Sequence, residues 1–431
     1  MHEGNTAGTV AKWRLLVLSR TEARRITFTD VLRIREYRML WLADAQSSLG
    51  DQLARVALTI LVYDRTGSAA LTSSTYALTF LPALLGGVLL SGIADRVARR
   101  TVLVVCDLIR AVLLAFMAMP SVPLVVVCVL LVFVVLVGTP FSAAQASILP
   151  DILDTERYPV AVALRSLTGQ LAQLAGFAGG GLLIAAVGPR TGLFVDAVTF
   201  VLSAAILRVG LNGHPAGGIP PAAQDPEPRT YLSGLRTAAR LISRNRRLRS
   251  LLGLAWLVGL YVIPEGIAAP FAASVDGGTA ATGIIMAAAP AGTAVGAFLL
   301  IRLVSPEFRR QWVGPMAAAA GLPLVCFAIV PNVAVAVVLL FVSGVLTAYL
   351  IEAMSSFTQA VPTQHRGQVV GLASSGFLVA QGAGLLLAGI ASEHISPSAT
   401  IAIGGAIGTV LALGFSVSLS NLEGRHSAAS V

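Results

Sequence analysis

Long, continuously apolar stretches follow one another along this 431-residue chain, separated by short polar gaps. A run of about 20 apolar residues is long enough to cross a bilayer as a helix. The runs do not alternate apolar with polar residues, and lipid offers no partner to an open strand edge, so we predict helices. The twelve predicted spans, numbered in chain order, cover residues 39–63, 71–94, 101–119, 122–148, 158–186, 190–211, 250–273, 279–303, 312–330, 333–360, 367–391 and 397–420.

The composition supports a membrane protein rather than a soluble one. Hydrophobic residues make up 56% of the chain and charged residues only 12%, which leaves too little polar surface to cover two or three soluble domains. The net charge of +9 is spread over short gaps between spans, so we expect no nucleic-acid partner.

Basic residues fall in alternate gaps between the spans. The basic gaps contain Arg96, Arg99, Arg100, Arg157, the run 229–249, Arg302, Arg309, Arg310 and Arg366. The other gaps contain little beyond Arg65 and Arg190. We call the arginine-rich side of the membrane the basic side and the other the opposite side. The positive-inside rule predicts that the basic side is cytoplasmic, with both termini there, in a multi-pass protein of the plasma membrane.

A Pro- and Gly-rich segment at 212–229 divides the spans into two groups of six. The predicted units are an N-terminal segment at 1–36, a six-helix bundle at 37–211, a linker at 212–249, a second six-helix bundle at 250–420 and a tail at 421–431. The fold class is therefore an all-α membrane protein with two similar bundles.

The linker also carries a helical pattern. Its apolar positions are Leu232, Leu235, Ala239 and Ile242, and its basic stripe is Arg236, Arg240, Arg244 and Arg247. This pattern predicts an amphipathic helix on the inner leaflet, with arginines that contact anionic lipids.

Two basic gaps contain motifs that resemble those of the major facilitator superfamily of secondary transporters. The sequence S-G-I-A-D-R-V-A-R-R at 91–100 is similar to the superfamily loop G-x-x-x-D-R-x-G-R-R. The matching residues are Asp95, Arg96, Arg99 and Arg100. The sequence at 362–371 is similar to the turn P-x-x-x-R-G-x-x-x-G, with matches at Pro362, Arg366, Gly367 and Gly371. The resemblance implies alternating access, with Asp95 meeting the positive end of a helix in the other half and latching the outward-facing state.

Span 5 carries small residues in a pattern similar to the motif g-x8-G-x3-G-P-x2-G-G of exporters in the superfamily. The corresponding residues are Ala163, Ala172, Gly176, Phe177, Gly180 and Gly181. Small residues also let helices pack closely in any transporter, so ordinary packing remains the alternative to a role in export. Further stretches, at 47–51, 107–110, 181–189, 194–200 and 357–362, resemble the enterobactin-exporter-like and multidrug branch of actinobacteria.

Charged residues inside the spans are candidate functional groups, because each costs at least about 2.5–3.5 kcal/mol near the bilayer centre. In span 1, Asp44, Asp51 and Arg55 fall within about 20° of one line on a helix and are expected to face a central cavity. Asp51 is interpreted either as a site for a proton or a substrate cation, or as a structural partner of Arg55.

Other spans carry further candidate charges. Asp107 and Arg110 in span 3 are three residues apart and are expected to pair, in either a structural or a coupling role. Glu265 in span 7 follows Pro264, where the helix is expected to break, and is a second candidate protonation site. Glu352 in span 10 is expected either to act in the cavity or to reach a basic loop.

Two remaining charges, Arg165 in span 5 and Asp196 in span 6, lie nearer opposite membrane faces and are not expected to pair with each other. Each is assigned to the interface between the halves. Span 4 contains no arginine, although proton-coupled relatives often carry one there. If protons drive transport, Asp51 with Arg55, or Glu265, must take its place.

The sequence favours transport over enzymatic chemistry. The single lysine, Lys12, excludes a Walker-type nucleotide site, and the five histidines are scattered, so we expect no cofactor and no metal. We predict a proton-driven, monomeric exporter of a small hydrophobic compound, such as a drug, siderophore or secondary metabolite. A proton-coupled nutrient importer and a transport-inactive receptor or scaffold are the alternatives.

Overall fold

The structure, a computed structural model, describes residues 26–83, 86, 97–213, 228–329 and 332–429, which form helices joined by short turns. In this part of the chain, nine helices are long and apolar enough to cross a membrane. They coincide with predicted spans 4 to 12. Their bounds are Leu124–Ile152, Tyr158–Val187, Pro189–Gly210, Arg246–Gly266, Gly278–Leu303, Pro306–Ile329, Val333–Ala360, Thr363–His394 and Pro397–Ser420.

The helices of spans 1 and 3 carry more charge, and the described helix of span 2 is nine residues long. The described helices of spans 1 to 3 are Arg35–Thr66, Ala69–Ala77 and Arg99–Met117. Asp44 and Asp51 lie in the first of these helices, and Asp107 and Arg110 lie in the third. Such residues lower the hydropathy of a helix and are tolerated in a membrane only where protein or water faces them. The charged faces of spans 1 and 3 must therefore turn away from lipid.

Span 7 is broken rather than continuous. Its helical pieces are Arg246–Trp256, Val258–Tyr261, Ile263–Gly266 and Ala268–Ser274. Each break leaves backbone carbonyls without their hydrogen-bond donors in the helix, and these carbonyls need new donors inside a membrane. The Tyr349 hydroxyl supplies one by donating a 2.7 Å hydrogen bond to the Leu254 carbonyl, just before the first break. The expected break beside Pro264 is thus present, and span 10 helps to stabilise the broken helix.

The helices pack in two groups, one formed by spans 1 to 6 and the other by spans 7 to 12. Span 6 packs against spans 1 and 3, while span 9 packs against spans 10 and 12. The two groups meet where span 5 lies along span 8 and where span 2 lies along span 11. Movement of one group against the other would have to change these two contacts.

The linker contains a helix at Pro228–Arg244, in the region where the sequence predicts one. Its buried residues Ala238 and Ile242 pack with Phe357 and Val369 at the basic ends of spans 10 and 11. Ala239, which the sequence places on the apolar stripe, is exposed, and the face that packs on protein passes through Ala238. The predicted basic residues Arg236, Arg240, Arg244 and Arg247 are exposed.

Candidate functional site

A cavity of about 480 Å³ lies among spans 1 to 6. The charged residues that line it are Asp44, Asp51, Arg55, Arg110, Arg165 and Asp196. Much of the remaining wall is apolar and includes Leu58, Leu114, Leu131 and Val134. Charges inside predicted spans are costly, so the way they pair determines what the cavity can do.

Span 1 presents three of these charges along one face. Asp44, Asp51 and Arg55 recur after seven and four residues, which returns a helix to nearly the same direction. Next to Asp51, Gly50 allows span 6 to approach closely, since a Cβ on Gly50 would collide with the Asp196 carboxylate. The glycine therefore brings Asp196 of span 6 beside Asp51.

Asp51 pairs with Arg110 of span 3. One guanidinium nitrogen of Arg110 lies 2.9 and 3.2 Å from the two carboxylate oxygens of Asp51. The same guanidinium lies over the Phe200 ring, 3.9 Å from its centroid. The predicted pairs Asp51–Arg55 and Asp107–Arg110 are therefore wrong, because a side chain on a facing helix approaches Asp51 more directly than one on the same helix.

Arg55 instead contacts span 2 and the second group of helices. Its guanidinium carbon lies 5.3 Å from the centroid of the Phe80 ring. It also interacts electrostatically with Tyr76 and Glu265. The Tyr76 hydroxyl donates a 2.7 Å hydrogen bond to the Glu265 carboxylate. These residues connect spans 1 and 2 with the broken part of span 7, across the boundary between the groups.

Asp44 pairs with Arg165 of span 5, nearer the basic side. The Arg165 Nε lies 3.3 Å from Asp44 Oδ2. Close by, the Trp41 indole N–H donates a 2.9 Å hydrogen bond to the Thr168 hydroxyl. Span 1 is thus joined to span 5 by an ion pair and a hydrogen bond, and Arg165 is already engaged by a carboxylate.

Two carboxylates beside the cavity lack such a cation. Asp107 is completely buried; its Oδ2 accepts a 2.5 Å hydrogen bond from the Ser203 hydroxyl, and its Oδ1 has no partner among the described residues. Asp196 is 1% exposed, and its Oδ1 accepts a 3.1 Å hydrogen bond from the Thr199 hydroxyl. Their position in apolar spans marks them as candidates in the sequence, but their lack of a cation depends on tertiary contacts.

Gln145 of span 4 is a cavity residue that sequence reasoning missed. It is 2% exposed and lines the cavity, and its Oε1 is buried without a hydrogen-bond partner in the described part of the chain. An uncharged side chain in an apolar run gives no sequence signal strong enough to select it. Its free oxygen could accept a hydrogen bond from a ligand.

Glu352 lies away from the cavity, at the basic end of span 10. Its carboxylate is 3.6 Å from the Arg310 Nε and accepts a 3.2 Å hydrogen bond from the Ser356 hydroxyl. Of the two sequence interpretations, contact with a basic residue is the one observed. Neither Glu352 nor Glu265 is among the described residues that line this cavity.

The span 5 motif brings three helices together. A Cβ on Gly176 or Gly180 would meet span 1. A Cβ on Gly181 would lie 2.7 Å from the Cα of Gly283 in span 8. Of the other motif residues, Phe177 and Ala172 are buried and Ala163 is exposed. Gly181 therefore belongs to the contact between the two groups of helices.

The predicted latch loop is described only in part. Asp95 and Arg96 lie outside the described residues. Arg99, which is 4% exposed, forms an ion pair with Asp151 at the end of span 4. Arg100 donates a hydrogen bond to a backbone carbonyl near the end of span 6. These two arginines connect the basic ends of spans 3, 4 and 6.

The turn before span 11 contains the second predicted motif. A short 3-10 helix covers Thr363–His365, and the long helix of span 11 begins at Arg366. Pro362, Arg366, Gly367 and Gly371 are all exposed. A Cβ on Gly367 or Gly371 would meet no described atom within 4 Å, so close packing does not require either glycine in this conformation.

The two groups of helices are joined on the opposite side. Four hydrogen bonds between described residues cross the boundary there. Glu393, at the end of span 11, accepts from the Ser68 hydroxyl at 2.6 Å and from the Ala70 N–H at 2.9 Å. The other two bonds join Ser73 to Leu385 and Tyr76 to Glu265. With the contact between spans 5 and 8, these bonds close the opposite side.

The cavity offers ion-pair and proton chemistry. Within the described residues, no group of three or more His, Cys, Asp or Glu side chains could hold a metal ion. Cys106, Cys128 and Cys326 are free thiols. The groups that can respond to a ligand are therefore the paired and unpaired carboxylates and the arginines of the wall.

Comparison with known proteins connects this architecture with transport. Residues 27–430 match the family described as transmembrane secretion effector, within the major facilitator superfamily. The multidrug efflux pump Tap of Mycobacterium tuberculosis is 28% identical over 379 residues, which cover 84% of this chain and 88% of Tap. YkuC of Bacillus subtilis, an uncharacterized transporter of the superfamily, is 26% identical over 184 residues, or 42% of each chain.

Solved structures share the fold at low sequence identity. A peptide transporter of the POT family in complex with sulfate superposes with a TM-score of 0.69 and 14% identity, covering 93% of this chain and 96% of that one. A bacterial homologue of the human lysosomal transporter Spinster, inward-facing and unoccupied, gives a TM-score of 0.64 and 16% identity, covering 89% and 95%. The family match extends over nearly the whole chain. This chain therefore belongs to the transmembrane secretion effector family of the major facilitator superfamily, and it is a multi-pass membrane transporter of small molecules rather than an enzyme.

Proposed function

We propose that this protein is a proton-driven exporter of small, largely apolar compounds such as drugs, siderophores or secondary metabolites. The observation that carries the proposal is the Asp51–Arg110 ion pair in the wall of a cavity that combines charged and polar residues with apolar ones. The apolar part of the wall, which includes Leu114, Leu131 and Val134, suits the apolar part of a ligand, and the polar groups orient it. An ion pair in such a wall can respond both to protons and to a ligand.

Two observations support export over import. Tap, which matches 84% of this chain, is named a multidrug efflux pump. Span 5 carries the small-residue pattern that resembles exporters, and Gly181 within it lies at the boundary between the helix groups. A nutrient importer would need a polar constellation shaped for one substrate. Here most wall charges neutralise each other, as in the Asp51–Arg110 and Asp44–Arg165 pairs.

We propose that ligand binding and proton binding are coupled through the carboxylates that face Arg110. A ligand that displaces Arg110 from Asp51 would change how strongly the neighbouring acids hold protons. By thermodynamic reciprocity, a change in protonation would alter ligand affinity by the same factor. Phe200 can hold the guanidinium during such an exchange, because it already stacks with it at 3.9 Å. This mutual dependence is what exchange of a substrate for protons requires.

The protein is further proposed to contain all twelve spans, arranged as two six-helix bundles at 37–211 and 250–420. Nine spans are supported by length and composition in the described residues. Spans 1 and 3 carry charges that lower their hydropathy, and the described helix of span 2 is nine residues long. Both termini and the linker at 212–249 would lie in the cytoplasm. The exposed arginines of the linker could then meet anionic inner-leaflet lipids. We propose a monomer as the working unit.

Alternating access would proceed by rocking of one bundle against the other. In the present conformation the opposite side is closed by spans 5 and 8 and by spans 2 and 11. With the basic side in the cytoplasm, this conformation would receive substrate from inside the cell. The reverse conformation would separate these helix pairs and use the loop of Asp95 as its latch.

Transport into inverted membrane vesicles tests this proposal. The vesicle interior is made acidic, and accumulation of the lipophilic dyes ethidium and rhodamine 123 is followed, with vesicles lacking the protein as the control. Proton-driven export predicts dye accumulation that collapses when a protonophore dissipates the gradient. An importer predicts movement out of the vesicles, and a scaffold predicts no movement; either result would contradict the proposal.

A further inference from the structure

Three carboxylates share one guanidinium beside the cavity. Asp51, Asp107 and Asp196 come from spans 1, 3 and 6, and the cation that faces them is Arg110. Arg110 is engaged with Asp51 at 2.9 and 3.2 Å. The other arginines of the cavity wall are engaged elsewhere, because Arg165 pairs with Asp44 and the Arg55 guanidinium lies over the Phe80 ring. Two of the three acids are therefore left without a cation among the described residues.

Because Asp107 and Asp196 are buried, the lack of a neighbouring cation destabilises their ionised forms. Asp107 and Asp196 are 0% and 1% exposed. The hydrogen-bond donors seen at their carboxyl groups are the Ser203 hydroxyl for Asp107 and the Thr199 hydroxyl for Asp196. An ionised carboxylate removed from water costs several kcal/mol unless cations or several donors compensate. One hydroxyl at each acid falls short of that, whereas a neutral carboxylic acid fits these surroundings.

We propose that Asp196 is the residue that carries the transported proton, with Asp107 as a buried acid beside it. This inference rests on the proposed proton-driven export. Asp196 lines the cavity and Asp107 does not, so Asp196 is the one of the two that can exchange with cavity water. On release, the O–H bond of Asp196 breaks and the proton passes to water. Arg110 then balances the carboxylate that remains.

The groups that face Asp196 indicate how release would be controlled. Span 1 contributes Asp51, and span 3 contributes Asp107 and Arg110. Span 5 also packs on span 6 and contributes Arg165 to the cavity wall. The Arg165 side chain forms an ion pair with Asp44. While Arg110 stays on Asp51, an ionised Asp196 would have no cation of its own. Movement of Arg110 is therefore the step that would release the proton.

Dye-induced proton release by the purified protein tests the inference. Ethidium is added to protein in weakly buffered detergent, and a pH indicator records the protons released. Wild type should release protons. Asp196→Asn keeps the shape of the side chain, and its release should fall to the level of protein-free micelles while ethidium still binds. Asp196→Glu should restore release. Glu307→Gln, which changes an exposed carboxylate at the start of span 9, should match wild type.

The possible outcomes separate this inference from the proposed function. Wild-type release by a folded Asp196→Asn variant would overturn the inference but leave proton-driven export standing. No release by wild type with bound dye would contradict proton-driven export itself. If the Asn variant does not fold or ethidium does not bind, infrared spectra decide without any ligand. An infrared band from a buried, protonated carboxyl group at neutral pH that shifts in Asp196→Glu supports the inference. The absence of such a band overturns it.

Discussion

Neutralising Glu393 should loosen the closed, opposite side of the transporter. Glu393 ends span 11 and accepts hydrogen bonds of 2.6 and 2.9 Å from Ser68 and Ala70, at the start of the span 2 helix. Ser68 is also the N-cap of that helix, because its hydroxyl accepts from the Leu71 N–H. The superfamily resemblance assigns to Asp95, on the basic side, a contact between a carboxylate and a helix N-terminus. Glu393 makes a contact of the same kind on the opposite side.

The structure limits how much Glu393 can stabilise the closed conformation. A carboxylate at an exposed helix N-terminus contributes about 0.3–1 kcal/mol, and solvent screens other exposed charge contacts to a similar size. Because Glu393 is exposed, its contacts should stabilise closure by about 1 kcal/mol, or roughly a five-fold change in the conformational equilibrium. Glu393→Gln keeps a carbonyl acceptor but removes the charge, whereas Glu393→Ala removes both. The alanine variant should therefore show the larger shift.

Distances between spin labels on the opposite side measure this shift. Labels are attached at Asp64→Cys and Ile395→Cys, two exposed positions on either side of the boundary, after the three native cysteines are replaced. The long-distance population should increase in Glu393→Gln and increase further in Glu393→Ala. Asp276→Asn is the matched control, since Asp276 is exposed on the same side and asparagine tolerates its φ of 52°. Identical distance distributions in wild type and both Glu393 variants would refute the reasoning.

Three other changes test separate parts of the account. Asp51→Asn should abolish gradient-driven ethidium efflux while exchange without a gradient continues; poor folding that Arg110→Gln rescues would instead indicate a purely structural ion pair. Gly181→Leu should lower the thermal unfolding midpoint in detergent, because overpacking against Gly283 costs about 1–3 kcal/mol, and an unchanged midpoint would show that the helices can separate freely. Asp95→Asn should reduce transport at normal membrane abundance, whereas full transport would exclude a latch role for this loop.

Helix positions could be predicted from sequence wherever an apolar run alone determines the structure. The predicted span 158–186 corresponds to the helix Tyr158–Val187, and the expected break beside Pro264 is present. The linker helix shows the limit of this reasoning. Alanines at 238 and 239 are equivalent by composition, and the approach of spans 10 and 11 determines that Ala238 is the buried one.

The candidate site was less predictable than the spans, because its charges are paired between helices. Helical spacing predicts that Asp44, Asp51 and Arg55 lie along one line of span 1, and all three are among the residues that line the cavity. It cannot show that Arg110 of span 3 reaches Asp51, because that pair depends on how spans 1 and 3 pack together. The same holds for Asp196, which approaches Asp51 because Gly50 leaves room for span 6. Which acids are left without a cation can be known only after the helices are packed.

Simultaneous measurement of dye and proton movement in proteoliposomes tests the central claim most directly. The purified protein is reconstituted with an acidic interior, an internal pH indicator is trapped, and ethidium is added outside. The account predicts dye accumulation with faster alkalinisation of the interior than in protein-free liposomes, and both changes should stop when the pH gradient is dissipated beforehand. Dye accumulation without any change in internal pH, or an unchanged rate of proton loss when dye is present, would contradict proton-driven export.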